Sequence, residues 1–534
     1  MKTRARRLAL GLVLGAPLLA AVCYALAWAR PAPRDSEPAG RPAQVRPDYD
    51  GAVIPPNIAP LNFCVDEPGS GYAVRLAGDR GEPLDVPSRT GRIAFPLRSW
   101  KRLLRDNRGA ELRLEVHVRG ADGRWRRFDD ATLTVAREDI DPYVVYRHMD
   151  PLYRFVRSLE ICERSTETFK ERTIVNNEAF GGCLNCHTFL NNRPDTMVLH
   201  VRSGLKDYGA GMLLVEHGSV AKVDTSSAYN PGFAGFPAWH PSGKAVAFSI
   251  NKVRQFFHTA RAEVRDVVDL ASDLALYRLD THEVTSCKAI TRPDVLETFP
   301  AWSPDGTYLY YCSTPMPWTQ TLQGPDVERY REVRYDLMRI RYDLATGAWG
   351  EPETVLASKT TGLSITEPRV SPDGRLMAFC MSDYGTFPAF QASSDLYLMD
   401  LKTGRYEPMA CNSNRSESWH SWSSNSRWLA FSSKRADGQF LRVYFTYVDQ
   451  EGKSHRPFLM PQEDPAFYDS FIQLHQMPEL ITGPVQVSEK DFVDAITREP
   501  WTKAGLSVTS ASPRAGAATQ PERPEPEPWG VGPP

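Results

Sequence analysis

The sequence predicts a mainly β protein built in parts: an N-terminal membrane anchor, a small β-sandwich-like domain, a short helical segment and a β-propeller of five or six blades. Three observations carry this. A strand–turn–strand motif occurs four times from residue 236 onward, with a second hairpin signature between its copies. Forty-three prolines and 36 glycines punctuate the chain, which favours many short strands over long helices. At 534 residues it also exceeds what one ordinary core organises, so two or more domains are expected.

Composition narrows the function classes. Lys plus Arg number 63 against 65 for Asp plus Glu, a net charge of −2. That balance supplies no general attraction to nucleic acid, and no nucleic-acid partner is expected. An aromatic content of 10% excludes a wholly disordered chain. Nine cysteines are too few for a disulfide-dense scaffold.

Lys2, Arg4, Arg6 and Arg7 precede an uncharged run of 22 residues, 8–29. This run is long enough to cross a bilayer as a helix, with the basic cluster held in the cytoplasm and the body outside. The alternative is a cleaved signal peptide, because Ala27-Trp28-Ala29 has the small-x-small form of a cleavage site. Either reading delivers the body to an oxidising compartment. Residues 30–47 carry Pro31, Pro33, Pro38, Pro42 and Pro47 and read as a stiff, solvated linker.

Residues 48–140 alternate in short runs. In Glu111-Leu-Arg-Leu-Glu-Val-His-Val-Arg119, Leu112, Leu114, Val116 and Val118 share one face of a half-buried strand. Residues 131–136 repeat the pattern, and the region reads as a β-sandwich of the immunoglobulin-like sort. Residues 141–200 form a separate segment: the alternation is lost over 142–172, where a helix is expected around residues 152–164.

This segment carries the strongest chemical signal, Cys183-Leu-Asn-Cys186-His187. C-x-x-C-H is the attachment motif for one covalent c-type haem. Thiols at this spacing add to two vinyl groups on one porphyrin edge, and the adjacent histidine ligates the iron. A thioredoxin-like dithiol would need a βαβ setting, and a zinc site a second Cys or His pair. Neither accompanies the motif. The distal ligand is left open between Met197 and His200, 10 and 13 residues beyond His187, with His217, Met212 or an open position behind them. If 197–201 is a strand, Met197 lies on one face and His200 on the other, beside Arg202, a candidate partner for a haem propionate.

Residues 201–497 read as the propeller. Phe236-Pro-Ala-Trp-His-Pro-Ser-Gly243, Phe299-Pro-Ala-Trp-Ser-Pro-Asp-Gly306 and Glu367-Pro-Arg-Val-Ser-Pro-Asp-Gly374 are related, and His420-Ser-Trp-Ser-Ser-Asn-Ser426 more distantly. Each is a strand entering a tight turn. Asp273-Leu-Ala-Leu-Tyr-Arg-Leu-Asp280, Asp336-Leu-Met-Arg-Ile-Arg-Tyr-Asp343 and Asp395-Leu-Tyr-Leu-Met-Asp400 supply the second hairpin of a four-stranded blade. Loops at 251–272 and 313–335 are insertions on one face. Cys312 and Cys380 hold equivalent positions in separate repeats and read as free buried thiols. His240, Trp419 and His420 are expected to pack blade edges, with lining of the central channel as the alternative. Residues 498–534 read as a disordered tail, with seven prolines from Gly505 onward.

The blade repeats resemble the propeller of the TolB family. From Pro47 to Thr497 the chain also resembles a bacterial family that joins a single c-type haem motif to a TolB-like propeller. The shared wording includes Ala52-Val-Ile-Pro-Pro-Asn-Ile-Ala-Pro-Leu-Asn-Phe63, the Cys183–His187 motif, Trp422-Ser-Ser-Asn-Ser-Arg-Trp428, Phe458-Leu-Met-Pro-Gln462 and Pro478-Glu-Leu480. The resemblance implies periplasmic haem attachment at Cys183, Cys186 and His187 and brings no established reaction. The expected function is a c-type cytochrome tethered on the periplasmic side of the inner membrane, relaying electrons to or from a redox partner protein. The alternatives are an envelope scaffold with structural haem and a haem redox enzyme acting on a small substrate. A propeller-borne hydrolase is set aside, because G-x-S-x-G is missing from the sequence.

Overall fold

A computed structural model describes residues 33–508 except 34, 152–158, 203–208, 227–229, 231–233, 259–262, 264 and 322–323. The expected anchor at 1–29 lies outside the described residues, as does the tail from 509 onward. Among the described residues no helix is long and apolar enough to cross a membrane.

The N-terminal region is β-rich, as its alternation implies. Glu111–Arg119 is a strand that buries Leu112, Leu114, Val116 and Val118. It sits in a seven-stranded sheet, beside a three-stranded sheet of Val45–Arg46, Phe63–Val65 and Arg92–Ile93. One helix, Leu97–Asp106, is added. It buries Trp100, Leu103 and Leu104, an i, i+3, i+4 stripe that fixes one face inward. The Trp100 Nε1 donates to the Ile58 carbonyl at 2.9 Å. The proline-rich stretch is not a free spacer throughout, because Glu37–Pro42 pairs in parallel with Trp125–Asp129. It is an edge strand, where prolines that cannot donate are tolerated.

Six antiparallel sheets follow, each with the four-stranded meander of a propeller blade. Blade 1 joins Tyr143–Met149, Glu160–Ser165 and Glu171–Asn176 to an innermost strand, Leu474–Ile481, from the far end of the chain. The other innermost strands are Cys183–Phe189, Gly235–Trp239, Val295–Trp302, Ser364–Val370 and Glu417–Trp422, for blades 2 to 6. Each packs on the next, and Leu474–Ile481 packs on both Cys183–Phe189 and Glu417–Trp422, so the ring closes. Apolar clusters fill the spaces between sheets.

Three expectations are corrected. The propeller begins at Tyr143 and not at 201, and the 141–200 segment is built mainly of strands, including Glu160–Ser165 in the expected helix, with one short 3-10 turn at Leu190–Asn192. Its pairing partner lies at the other end of the chain, so no local pattern announces it. The tail is ordered as far as Val508, because Thr502–Lys503 and Gly505–Val508 pair in parallel with the outer strands of blades 2 and 3. The two-domain division at 140 is bridged, because Trp428, Phe445 and Phe458 of blade 6 belong to the same apolar cluster as the N-terminal region.

The hairpin turns behave as their sequence demands. Gly243, Gly306 and Gly374 all adopt φ near +75° (75°, 73° and 73°), which Pro-Ser-Gly and Pro-Asp-Gly supply without strain. Blade 6 has Ser-Asn-Ser instead, and Ser426 takes the left-handed conformation there at φ 61°. The hairpin of Ala245–Phe257 and Arg265–Arg278 is nearly twice as long as its counterparts. It rises at the end where the innermost strands begin. There Arg265 donates to the Pro151 carbonyl of blade 1, and Asp266 accepts from Tyr384 and Gln391 of blade 5.

Candidate functional site

Every innermost strand breaks its register once. The shifts fall at Asn185/His187, Gly235/Ala238, Thr298/Ala301, Thr366/Arg369 and Ser418/Ser421, and in blade 1 at Val145/Arg147 against Gln476 and Glu479. Such bulges re-aim side chains. The residues at the breaks are Cys186, Phe236, Phe299, Glu367, Trp419 and Met477. All but Cys186 have positive φ, between 48° and 54°, a sparsely populated conformation for side-chain-bearing residues. A cavity of about 430 Å³ lies on the axis, lined by His187, Phe236, Phe299, Glu367, Trp419, Met477 and their neighbours.

The C-x-x-C-H motif forms the innermost strand of blade 2. Residues three apart on a regular strand point to opposite faces, so Cys183 and Cys186 depend on the bulge for their relative placement. Both are buried and neither is in a disulfide. Burial pushes the Cys186 thiol up, and its Sγ lies 3.5 Å from Asn185 Oδ1, which accepts from Arg147 Nη1 at 2.6 Å. Arg202 lies opposite Cys183 in the ladder, with its Nη2 3.7 Å from the thiol. His187 is buried and faces the axial cavity. Burial, aided by the Arg147 charge, pushes its pKa down to about 3, so the imidazole is neutral. The donor set therefore fits a covalent haem in its chemistry: two thiols outside any disulfide for the thioether bonds and a neutral imidazole for the iron.

The expected strand carrying the distal candidates is present as Thr196–Arg202. Met197 lies opposite Phe189 and packs with Leu199, Val201 and Val215. His200 lies opposite Asn185 and is fully buried on the other face. Because His187 stands opposite Leu199, it shares the ladder face of Met197 and not that of His200. Met212 is the cross-strand partner of His200 on its other side, and His217 sits at an exposed turn near Asp195. The cavity lining includes His187 but neither distal candidate nor Arg202.

The structure divides the three residues expected at blade edges, two of them taking the alternative place in the channel, and adds two carboxylates that the motif search passed over. Trp419 and His420 line the cavity, whereas His240 hydrogen-bonds Ser242 and the Gly306 carbonyl and packs edge-on against Trp302. Glu367 and Glu479 also line it, and burial raises both carboxyls to about 7. Arg369 stands beside them as the cationic neighbour. Glu479 accepts from the Phe189 amide at 3.0 Å and from Thr188 Oγ1 at 2.9 Å. The signal was the first residue of the repeats quoted at 236, 299 and 367, and the residue before the one quoted at 420. Phe236-Pro, Phe299-Pro, Glu367-Pro and Met477-Pro are one recurring position, and Cys186-His and Trp419-His occupy it in the remaining blades.

No family model and no curated protein matches the chain. Among solved structures it is similar to a prolyl endopeptidase at 12% identity and a TM-score of 0.33, covering 61% of this chain and 50% of that one. The chain thus spans half the length of that endopeptidase. It is also similar to the Dos1 propeller, at 11% identity and a TM-score of 0.27, covering 46% and 66% of the two chains. A nidogen/laminin complex matches at 9% identity and a TM-score of 0.33, covering 64% and 99%. The blade count and the ring closure rest on the strand pairing, not on these likenesses.

Proposed function

We propose that the chain is a c-type cytochrome of the cell envelope, a TolB-like propeller that carries one covalent haem and relays electrons to or from a docked redox partner. The N-terminal segment tethers it to the periplasmic side of the inner membrane. One observation supports this most: Cys183-Leu-Asn-Cys186-His187 supplies two thiols outside any disulfide and a neutral imidazole on one strand beside the axial cavity. Cys183 and Cys186 would hold the haem, which supplies one-electron chemistry when bound, and His187 would be the proximal iron ligand. His200 or Met197 remains the distal candidate. Arg147 orients the motif through Asn185, and Arg202, beside Cys183, is the candidate propionate partner.

The experiment is a denaturing gel stained for haem peroxidase activity. The full chain should retain stain, and the double variant Cys183→Ala, Cys186→Ala should lose it. Stain that persists in the double variant overturns the reading. A second reading, redox chemistry on a small substrate, is favoured by the cavity beside His187 with Glu367, Glu479 and Arg369 in its wall.

A further inference from the structure

We propose that Glu367, Cys380 and His420 form a mononuclear site for a zinc-type divalent cation, with its open coordination position facing the axial cavity. The inference goes beyond haem attachment and does not depend on it. The three side chains come from three strands of two blades: Ser364–Val370 and Leu376–Ser382 of blade 5, and Glu417–Trp422 of blade 6. All three are buried, and their ligand atoms lie within 4.8 Å of one another.

The spacing suits one ion. Cys380 Sγ is 3.5 Å from Glu367 Oε2 and 3.8 Å from His420 Nδ1, and the last two atoms are 4.0 Å apart. A tetrahedral zinc ion, with bonds of about 2.3 Å to sulfur and about 2.1 Å to nitrogen or oxygen, holds its ligand atoms roughly 3.4–3.6 Å apart. The sulfur distances need change by no more than about 0.2 Å, and the nitrogen-to-oxygen distance must close by about 0.6 Å. Thiolate, imidazole and carboxylate are the donors zinc takes, and three protein ligands with one open position is the arrangement of reactive sites.

A second observation points the same way. Glu367 Oε1 and His420 Nε2 are buried and make no hydrogen bond, and neither do the neighbouring hydroxyls of Thr366, Ser418 and Ser421. Buried polar atoms without partners are costly, and a cation held beside the Glu367 carboxylate would offset the cost at Oε1. Glu367 Oε2 is already fixed by the Trp419 amide at 2.6 Å, which holds the carboxylate toward the thiol. Glu367 and His420 both line the axial cavity, which gives an ion its route in. On binding, the Cys380 proton and whatever proton Glu367 holds leave to solvent, and thiolate and carboxylate together neutralise the dication. Arg369 is the nearby cation that this neutral site must tolerate.

A second trio, His148, Cys162 and Glu171, has similar composition but is already engaged. His148 pairs with Glu160, and Glu171 accepts from the Tyr146 hydroxyl. It serves as the control.

The test uses the reduced full chain, dialysed against zinc, with metal analysis that counts zinc apart from iron. One zinc per chain is expected. Cys380→Ser and Glu367→Gln should each weaken binding by at least about a hundredfold, more than loss of a supporting contact would cost, while Cys162→Ser leaves it unchanged. Cobalt in place of zinc should give a sulfur-to-metal absorption band that Cys380→Ser removes. Should Cys380→Ser fail to fold, the rise in melting temperature on adding zinc is compared between the native chain and Glu367→Gln. The proposal is overturned if the native chain binds no zinc, if Cys162→Ser is the variant that loses it, or if Glu367→Gln keeps the full thermal shift.

Discussion

His187 and His420 hold the same place in different blades. Each follows the bulged residue of an innermost strand, in blades 2 and 6, where the other four blades have Pro237, Pro300, Pro368 and Pro478. Both are buried, both line the axial cavity, and burial pushes both down to about 3. One belongs to the haem motif and the other to the Glu367–Cys380 cluster.

This equivalence gives a paired prediction. His187→Ala should leave haem attached through the thioethers, so the stain survives, but change the visible absorption of the chain. His420→Ala should leave that absorption as it is. If the two variants give the same spectrum, His187 is not the axial ligand.

The relay and small-substrate readings separate on carbon monoxide. A relay is expected to keep both axial positions filled, so spectra of the reduced chain should not change quickly when the gas is added. Rapid formation of a carbon monoxide complex would count against the relay and favour chemistry at the cavity.

Trp428 joins the N-terminal region to blade 6: it is fully buried in the shared cluster and donates through Nε1 to the Glu138 carbonyl at 3.1 Å. Trp428→Ala should cost about 3–5 kcal/mol in denaturant unfolding. It should also expose the chain near residue 140 to limited proteolysis. Loss of stability without new cleavage there would mean that the two parts do not separate.

Asp269 titrates in an unusual range. It accepts from Asn251 and Tyr335 at 3.0 Å each, and burial pushes its carboxyl up to about 6 from 3.8. The folded chain therefore keeps a proton that the unfolded chain releases. This contribution to stability is full below about pH 4 and lost as pH rises through about 6. Asp269→Asn should flatten the fall in stability over that range by up to about 3 kcal/mol. Urea unfolding at several pH values measures it, and an unchanged slope would refute the assignment.

What was legible in the sequence was local. Pro-Asp-Gly turns announce themselves because only certain residues adopt a left-handed turn cheaply, as Gly306 and Gly374 do. The alternation of Leu112, Leu114, Val116 and Val118 is legible because a half-buried strand has period two. The helix at Leu97–Asp106 was missed because its ten residues hold only three buried positions among basic side chains.

Composition and motif by themselves determined a mainly β chain, the hairpins of blades 3 to 6, and a trio of Cys183, Cys186 and His187 suited to haem. Only the tertiary structure decided that there are six blades, that Leu474–Ile481 closes the ring on strands some three hundred residues earlier, and that the haem motif is an innermost strand. The same holds for Glu367, Cys380 and His420, brought together from three strands. The reason is physical: turn and strand preferences act between neighbours in sequence, whereas ring closure and side-chain clustering depend on pairings between distant segments, which leave no periodic trace in either one.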